Sequence, residues 1–327
     1  MAGRRLRPAL PSATLRCAAG AGLLLFSLTG IAQAQRAWVT NQTEGTVSVI
    51  DTATETVVAT VKVGQKPAGV AVGDGRKVFV TNPDSKDVYR IDAATASVDL
   101  RRPVGEVPLG IDADREGRRV YVADWYRKRV LVLDGATLDT VAEVAVGEVP
   151  AGVRVVDGRG IVLVANRDSD SVSVIDARTL AVRATIPVGT HPFGIDVDAR
   201  ESRAYVANVV SGTVSVIDLS TLTRVADVPV GSWPYMPAVT PDGRRAFVTN
   251  QQDNTVSVID TESLAVIKTI EVGEYPEGAQ AHPDGRRVFV ANWFSNEVSV
   301  IDVDSLTVTG TIETGDGSRG FGRFIGR

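Results

Sequence analysis

The sequence predicts an all-β fold, a seven-bladed β-propeller with four antiparallel strands in each blade. Three short motifs recur in step with one another, each advancing by 41 residues once and by 42 thereafter. One motif ends a predicted second strand, one ends a third strand with Asp, and one is a Val-Gly step before the next unit. Seven copies at this period indicate units that bury their apolar faces against their neighbours. The first motif ends at Asn41, Asn82, Asp124, Asn166, Asn208, Asn250 and Asn292.

Residues 234–273 show how one unit is expected to form. The apolar stretch 234–240 ends at a Pro-Asp-Gly turn, in which Gly supplies a positive φ. Residues 246–250 form the predicted second strand, and residues 255–259 alternate between apolar and polar side chains as the third strand. Residues 265–272 form the fourth strand. No segment of the unit has a helical period, so each unit is predicted to be a four-stranded antiparallel sheet.

The two ends of the repeat region are predicted to close the ring together. The first unit has a second strand at 36–41 but no innermost strand before it. The residues 319–325 align with the innermost-strand position and have no strand after them. We therefore expect this C-terminal strand to join the N-terminal blade, which removes the free sheet edges.

Residues 1–34 are predicted to be a signal peptide that is cleaved after Ala34, and 35–327 a single propeller domain. Four Arg precede an apolar run at about 17–31, and an Ala-Gln-Ala triplet that fits a cleavage site follows it. Cleavage removes the only cysteine, Cys17, so neither disulfides nor Cys-ligated metals are expected. The mature protein is therefore expected in the periplasm or outside the cell.

The charge balance argues against polyanionic partners. The formal net charge of −4 becomes −8 without the signal peptide, because that segment holds four Arg and no acid. We therefore do not expect nucleic acid or a membrane surface as the partner, and we expect a monomer without a transmembrane segment. Basic residues do recur at the hairpins after the innermost strands, as at Arg244 and Arg245, but acidic turns lie beside them and local pairing is expected.

The motif Tyr-Val-Ala-Asn at 205–208, followed by Thr-Val-Ser-Val-Ile-Asp at 213–218, resembles the YVTN family of β-propeller repeats. The resemblance extends over the whole chain after the signal peptide and implies an exported propeller. Its members are mostly of unknown or binding-type activity, and some accompany quinone-dependent oxidation systems. Two departures occur here: Asp124 replaces the usual Asn, and Met236 stands where other units have Gly.

Aromatic residues concentrate in loops that are predicted to surround one mouth of the central channel, and three of the four Trp fall there. Rings in exposed loops stack on ligands at little cost in side-chain entropy, whereas the alternative is that they pack between blades or plug the mouth. Arg127 lies in a basic and aromatic run that suits a carboxylate, a phosphate or a sugar acid, unless it is only solvated charge. The predicted ligand-binding residues are Trp125, Tyr126, Arg127, His191, Trp233, Tyr235, Tyr275, Trp293 and Phe294.

Four polar residues are predicted to line the channel at equivalent positions of the innermost strands: Asp112, Arg154, Asp196 and Gln280. The order acid, base, acid in three successive blades lets the charges neutralise one another, which favours a structural role. The alternative is a site for a polar ligand or a cation.

The leading hypothesis is an exported, non-enzymatic binding or scaffold protein that engages a small molecule, a glycan or a protein through these aromatic loops. With two His and no nucleophile-elbow, nucleotide or calcium motif, no catalytic residues, cofactor or metal site are predicted. One alternative is a lactonase- or lyase-like enzyme that uses Asp112, Asp196 or His191 as acid or base. The other is an accessory protein of periplasmic quinone-dependent oxidation, which follows from the family resemblance alone.

Overall fold

The computed structural model of the chain describes residues 1–3, 35–73 and 76–326. The predicted signal peptide lies outside the described residues, apart from its first three residues. Cys17 and the predicted cleavage site at Ala34 also lie outside them. Within the described part, no helix is long and apolar enough to cross a membrane.

The described residues form an all-β structure with two short 3-10 turns, Asp157–Arg159 and Arg167–Ser169. In chain order the strands are β1 (Arg36–Asn41), β2 (Thr46–Asp51), β3 (Thr56–Lys62), β4 (Gly69–Val72), β5 (Lys77–Asn82), β6 (Asp87–Asp92), β7 (Ser97–Pro103), β8 (Pro108–Ala113), β9 (Arg119–Asp124), β10 (Arg129–Asp134), β11 (Thr140–Ala145), β12 (Pro150–Val156), β13 (Ile161–Asn166), β14 (Ser171–Asp176), β15 (Val182–Pro187), β16 (Pro192–Val197), β17 (Arg203–Asn208), β18 (Thr213–Asp218), β19 (Thr223–Pro229), β20 (Pro234–Val239), β21 (Arg245–Asn250), β22 (Thr255–Asp260), β23 (Ala265–Glu271), β24 (Pro276–Ala281), β25 (Arg287–Asn292), β26 (Glu297–Asp302), β27 (Thr307–Glu313), β28 (Ser318–Arg319) and β29 (Phe321–Arg323).

These strands form seven sheets, the blades of a propeller, each with four antiparallel strands, which confirms the predicted fold; β29 adds a parallel fifth strand to the sheet of blade 2. Blade 1 has the order β28-β1-β2-β3, and blades 2 to 7 begin with β4, β8, β12, β16, β20 and β24. Neighbouring blades cover both faces of the second and third strands, so these strands are apolar and buried along their length rather than alternating. The outermost strands alternate between exposed and partly buried residues because one of their faces meets water.

In blades 2, 4 and 6 the recurring Asn at the end of the second strand joins two consecutive blades. In Asn166 the side-chain amide donates to Ser171 and Ser173, at 3.1 and 2.9 Å, while its oxygen accepts from the amide of Gly147 at the end of the previous blade, at 3.0 Å. An Asp cannot donate these bonds. In blade 3, where Asp124 stands, Arg129 takes the place of the hydroxyl residue and donates to the carboxylate at 2.9 Å.

The C-terminal strand joins the N-terminal blade, as predicted, but it does so in two pieces. Residues 318–319 pair with β1, and Ala37 pairs with Ile325 further along. Between these pieces β29 leaves the blade and runs parallel to β4 of blade 2. Gly322 permits this departure with a φ of 108°, a conformation that favours glycine. The segment 318–325, called the clasp below, therefore lies partly inside the channel.

Candidate functional site

A layer of seven residues, one from each blade, closes the channel near the face that carries the aromatic loops. Each of these residues stands at the start of the innermost strand of its blade. In most units it lies between Pro and Gly in the sequence. Phe321 of the clasp fills the centre of this layer, which we call the sealing ring. Its members are Ala68, Leu109, Ala151, Phe193, Tyr235, Glu277 and Arg319.

The rings of Phe193, Tyr235 and Phe321 form the apolar part of the sealing ring. The centroids of Phe193 and Tyr235 are 4.1 Å apart, and Phe193 and Phe321 are 4.9 Å apart. Tyr235 is only 7% exposed, and this burial raises the pKa of its hydroxyl. The predicted ligand-binding residue Tyr235 is thus a plug of the channel mouth, the alternative that the sequence left open.

The polar part of the sealing ring is a buried ion pair between Glu277 and Arg319. Gln251 donates to the Glu277 carboxylate at 2.7 Å, and Arg319 Nη2 donates to the Tyr235 hydroxyl at 2.5 Å. The Arg319 guanidinium also lies over the Tyr235 ring, 5.9 Å from its centroid. Burial raises the pKa of the Glu277 carboxyl, and the neighbouring Arg319 opposes that shift.

Outside the sealing ring, Tyr275, Trp293 and Phe294 form an aromatic patch on the loops of blade 7. Trp293 and Phe294 stack with their planes 17° apart and their centroids 4.8 Å apart, and Tyr275 lies 4.8 Å from Phe294. The Phe294 side chain is 58% exposed. On the adjacent blade 6, Trp233 is 42% exposed. These predicted ligand-binding residues therefore lie on the surface, in contrast to Tyr235.

His191, Trp233 and Tyr275 hold the same position, directly before Pro, in three adjacent blades, with left-handed φ values of 54°, 54° and 58°. The same conformation occurs at Lys66 and Val149 in other blades, so the turn does not require a ring. The aromatic side chains at this position must therefore owe their presence to what they contact and not to the backbone.

The other half of this face carries Trp125, Tyr126 and Arg127. Trp125 is partly buried, lies 5.8 Å from Phe193, and has the Arg167 guanidinium 6.0 Å from its ring centroid. Tyr126 is exposed, and Arg127 pairs with Glu106. The basic run of this loop is therefore paired with acids, and it lies apart from the aromatic patch.

The four residues that were predicted to line the channel form a polar layer beneath the sealing ring. Arg154 Nη2 forms an ion pair with Asp196 Oδ1 at 2.7 Å, while its Nη1 lies 4.0 Å from Asp112. Asp112 is bound instead by Arg323 of the clasp, at 2.5 Å. Gln280 is not part of this charge network. Its oxygen accepts from the amides of Phe324 and Ile325 at 2.7 Å each, so that it holds the clasp in place.

On the opposite face, several arginines of the hairpins link neighbouring blades through hydrogen bonds. The first Arg of several second strands donates through Nη1 to a backbone carbonyl in the turn of the next blade. Arg203 reaches Thr261 at 2.8 Å, and Arg245 and Arg287 make the corresponding bonds. These arginines are therefore structural links.

The family model of the YNCE-like beta-propeller matches residues 68–160 and 198–282, more than half of the chain. This chain belongs to the YNCE-like beta-propeller family. A comparison with curated proteins gives no match.

Solved structures with the same fold as this YNCE-like propeller come from proteins of mixed character. Hydrazine synthase of Kuenenia stuttgartiensis is 21% identical with a TM-score of 0.74, over 82% of this chain and 92% of that one. A protein of unknown function from Desulfotomaculum acetoxidans is 15% identical with a TM-score of 0.76, over 87% and 99%. The dihydro-heme d1 dehydrogenase NirN is 18% identical with a TM-score of 0.65, over 87% of this chain but 64% of that one. At these identities the likeness is one of fold.

Four residues that close or hold the channel of this YNCE-like propeller are absent from the predicted site: Glu277, Arg319, Phe321 and Arg323. A signal for the first two was present, because a Glu and an Arg occupy in neighbouring units a position that is apolar in the other five. Nothing in the sequence indicates that Arg323 meets Asp112, since 211 residues separate them.

Proposed function

We propose that this protein is an exported, non-enzymatic binding protein whose aromatic patch and Trp233 engage a small molecule, a glycan or a partner protein. The observation that carries the proposal is the exposed ring of Phe294, stacked on the half-buried Trp293 and with Tyr275 against it. Large rings held open to solvent cost free energy unless they are covered, and rings of this kind dominate the energetics of recognition sites.

The charges around the patch narrow what can bind there. The loops of blades 6, 7 and 1 on this face contain four acids and no Lys, Arg or His; the acids are Glu44, Asp253, Glu274 and Asp316. The loops of blades 2 to 4 hold the basic residues of the face, among them Lys66, Lys86 and Arg127. An acidic rim beside ring faces suits a neutral or cationic group, because cations are attracted to both.

The channel supports a binding function rather than acid–base catalysis. Each oxygen of Asp196 already accepts a hydrogen bond from a backbone amide, Val197 to Oδ1 and Val239 to Oδ2, both at 2.8 Å. Asp112 accepts from Ala113 at 2.9 Å and Val155 at 2.8 Å in the same way. A carboxylate that is held on both oxygens is poorly placed to exchange a proton with a substrate.

Tryptophan fluorescence tests the proposal, because three of the four Trp lie on this face. The protein is titrated with sugars, sugar acids, quinones and short oligonucleotides, and a pull-down against periplasmic proteins covers a protein partner. We expect a saturable response or a captured partner that Phe294→Ala abolishes. The matched control is Tyr126→Ala, which removes an equally exposed ring, 67% accessible, from the basic half of the face. Binding that survives Phe294→Ala and Trp233→Ala together would refute the role of the patch.

A further inference from the structure

The channel contains a cavity of about 290 Å³ on the side of the sealing ring that faces away from the aromatic loops. Its walls are apolar at Val155, Val197, Met236, Val239 and Ala279, and polar at Arg154, Asp196 and Arg323. The volume lies at the lower end of the range for small-molecule pockets.

The sealing ring bounds one end of the cavity. Met236 lines it and also packs in the cluster that contains Phe193 and Tyr235, so the sealing ring closes its inner end. Gly322 and Arg323 of the clasp form one wall. At the outer end the lining includes Pro241 and Pro283, which lie in exposed hairpins of the opposite face. A ligand therefore enters from the face opposite the aromatic patch.

The inner part of the cavity has spare hydrogen-bond donors, whereas each carboxylate oxygen there already accepts at least one hydrogen bond. Both oxygens of Asp112 and both of Asp196 accept bonds from backbone amides, as described above. Arg154, whose side chain is 12% exposed, has no acceptor for Nη1 within hydrogen-bond distance among the described residues, and its buried Nε has none either. A buried donor without an acceptor is costly, so a ligand that brings an acceptor is favoured.

The charge of the cavity decides which kind of acceptor fits. Arg154 and Arg323 are matched by Asp112 and Asp196, so the polar layer has no net charge. The outer end adds the acids Asp198 and Glu201. An anion would gain little from arginines that are already paired with carboxylates.

We propose that this cavity binds a small, uncharged molecule that has an apolar body and a carbonyl oxygen, the oxygen accepting a hydrogen bond from the Arg154 guanidinium. The apolar body packs against the valines, Met236 and Ala279. The site is separate from the aromatic patch, so this inference does not depend on the proposed function.

Three probes with the same phenyl body test the inference: acetophenone, benzoate and ethylbenzene. Met236 is one of only two methionines in the chain, the other being Met1, so its carbon-13-labelled methyl group reports on the cavity by NMR. We expect acetophenone to shift the Met236 methyl signal and to bind about tenfold more tightly than ethylbenzene, because only acetophenone offers an acceptor. Benzoate should bind more weakly than acetophenone. Equal affinities for acetophenone and ethylbenzene, tightest binding of benzoate, or no shift of the methyl signal with any probe would overturn the proposal.

Two variants locate the binding. Ala281→Leu adds bulk to a partly exposed wall of the cavity without touching the ion pairs, and it should abolish the acetophenone response at an unchanged melting temperature. Phe294→Ala on the aromatic patch should leave the response intact. An acetophenone affinity that is unchanged by Ala281→Leu would contradict the site. If Ala281→Leu does not fold, the Met236 signal of the unaltered protein still decides between the outcomes.

Discussion

Arg323 and Asp112 form a buried ion pair that joins the clasp to the innermost strand of blade 3, with Arg323 Nη2 at 2.5 Å from Asp112 Oδ1. The same guanidinium nitrogen donates to the backbone oxygen of Ala113 at 2.7 Å. The last strand of the ring is thus held by a side chain that reaches across the channel, in addition to the backbone pairing with β1 and β4.

Removal of one partner of this pair should destabilise the protein strongly. Arg323→Ala leaves the Asp112 charge buried without its guanidinium, and we expect a loss of about 3–5 kcal/mol in the free energy of unfolding. Urea unfolding followed by fluorescence measures it. Arg118→Ala is the control, because that arginine pairs with Glu116 at the surface and its loss should cost at most about 1 kcal/mol. Equal effects of the two substitutions would contradict the assignment of Arg323.

The glycine that follows the sealing-ring residue should not tolerate a side chain. A Cβ at Gly110 would lie 1.8 Å from the backbone oxygen of Ala151 in the next blade. Gly110→Ala should therefore cost on the order of 4 kcal/mol or prevent folding. Gly243→Ala is the comparison, since its Cβ meets nothing within 4 Å and only its φ of 73° is unfavourable, a cost of about 1–2 kcal/mol. Thermal unfolding of both variants checks the difference, and similar melting temperatures would refute it.

Protonation of His282 should make the protein less stable in mild acid. Burial lowers the pKa of this imidazole below its ordinary value of 6.5, although Asp284 at 2.9 Å opposes the shift. The unfolded chain then binds a proton more readily than the folded one, so stability falls as the pH drops below about 6.5. His282→Thr copies the residue of the equivalent turn, Thr240, and removes the titration. The melting temperature of the parent should fall between pH 7 and 5 relative to this variant; parallel curves would show that His282 does not contribute.

The two halves of the aromatic face should differ in electrostatic potential. The measurement is the quenching of tryptophan fluorescence by small ions. In the variant Trp125→Phe, the tryptophans on this face are Trp233 and Trp293, which lie among acidic loops. With Trp233→Phe and Trp293→Phe, the reporter is Trp125, which has Arg167 over its ring. At low salt, the ratio of caesium quenching to iodide quenching should be higher for the first variant than for the second. Each ion concentrates near the opposite charge. The same ratio of the two quenchers in both proteins would disprove this charge division.

The sequence predicts the strands closely because the repeat fixes their phase. The expected strand at 246–250 is β21 at Arg245–Asn250, and the expected strand at 255–259 is β22 at Thr255–Asp260. Seven aligned copies of one pattern average out the ambiguities of any single segment, so boundaries differ by about one residue. The polar layer of Asp112, Arg154 and Asp196 is predictable for the same reason, since equivalent positions of a ring must lie at one depth.

The fates of individual side chains are less predictable, as Trp233 and Tyr235 show. They are two residues apart, Trp233 in a loop and Tyr235 in β20, and both were predicted to bind ligand. Trp233 is 42% exposed, whereas Tyr235 is sealed beneath Arg319 and Phe321. Which of the two is covered depends on the clasp, which lies more than 80 residues away in the chain. A local pattern carries no information on such a contact.

The geometry of the clasp also determines how the ring responds to force. Ala37, near the start of β1, lies opposite Ile325, near the end of the clasp. Both ends of the propeller therefore leave the pairing between β1 and the clasp, called the seam here, at the same place. A pull on the two ends therefore opens the hydrogen bonds of the seam one after another, as in a zip, instead of shearing them all together. The pairing between β1 and the clasp is therefore the first part of the ring that a force on the two ends of the propeller would load.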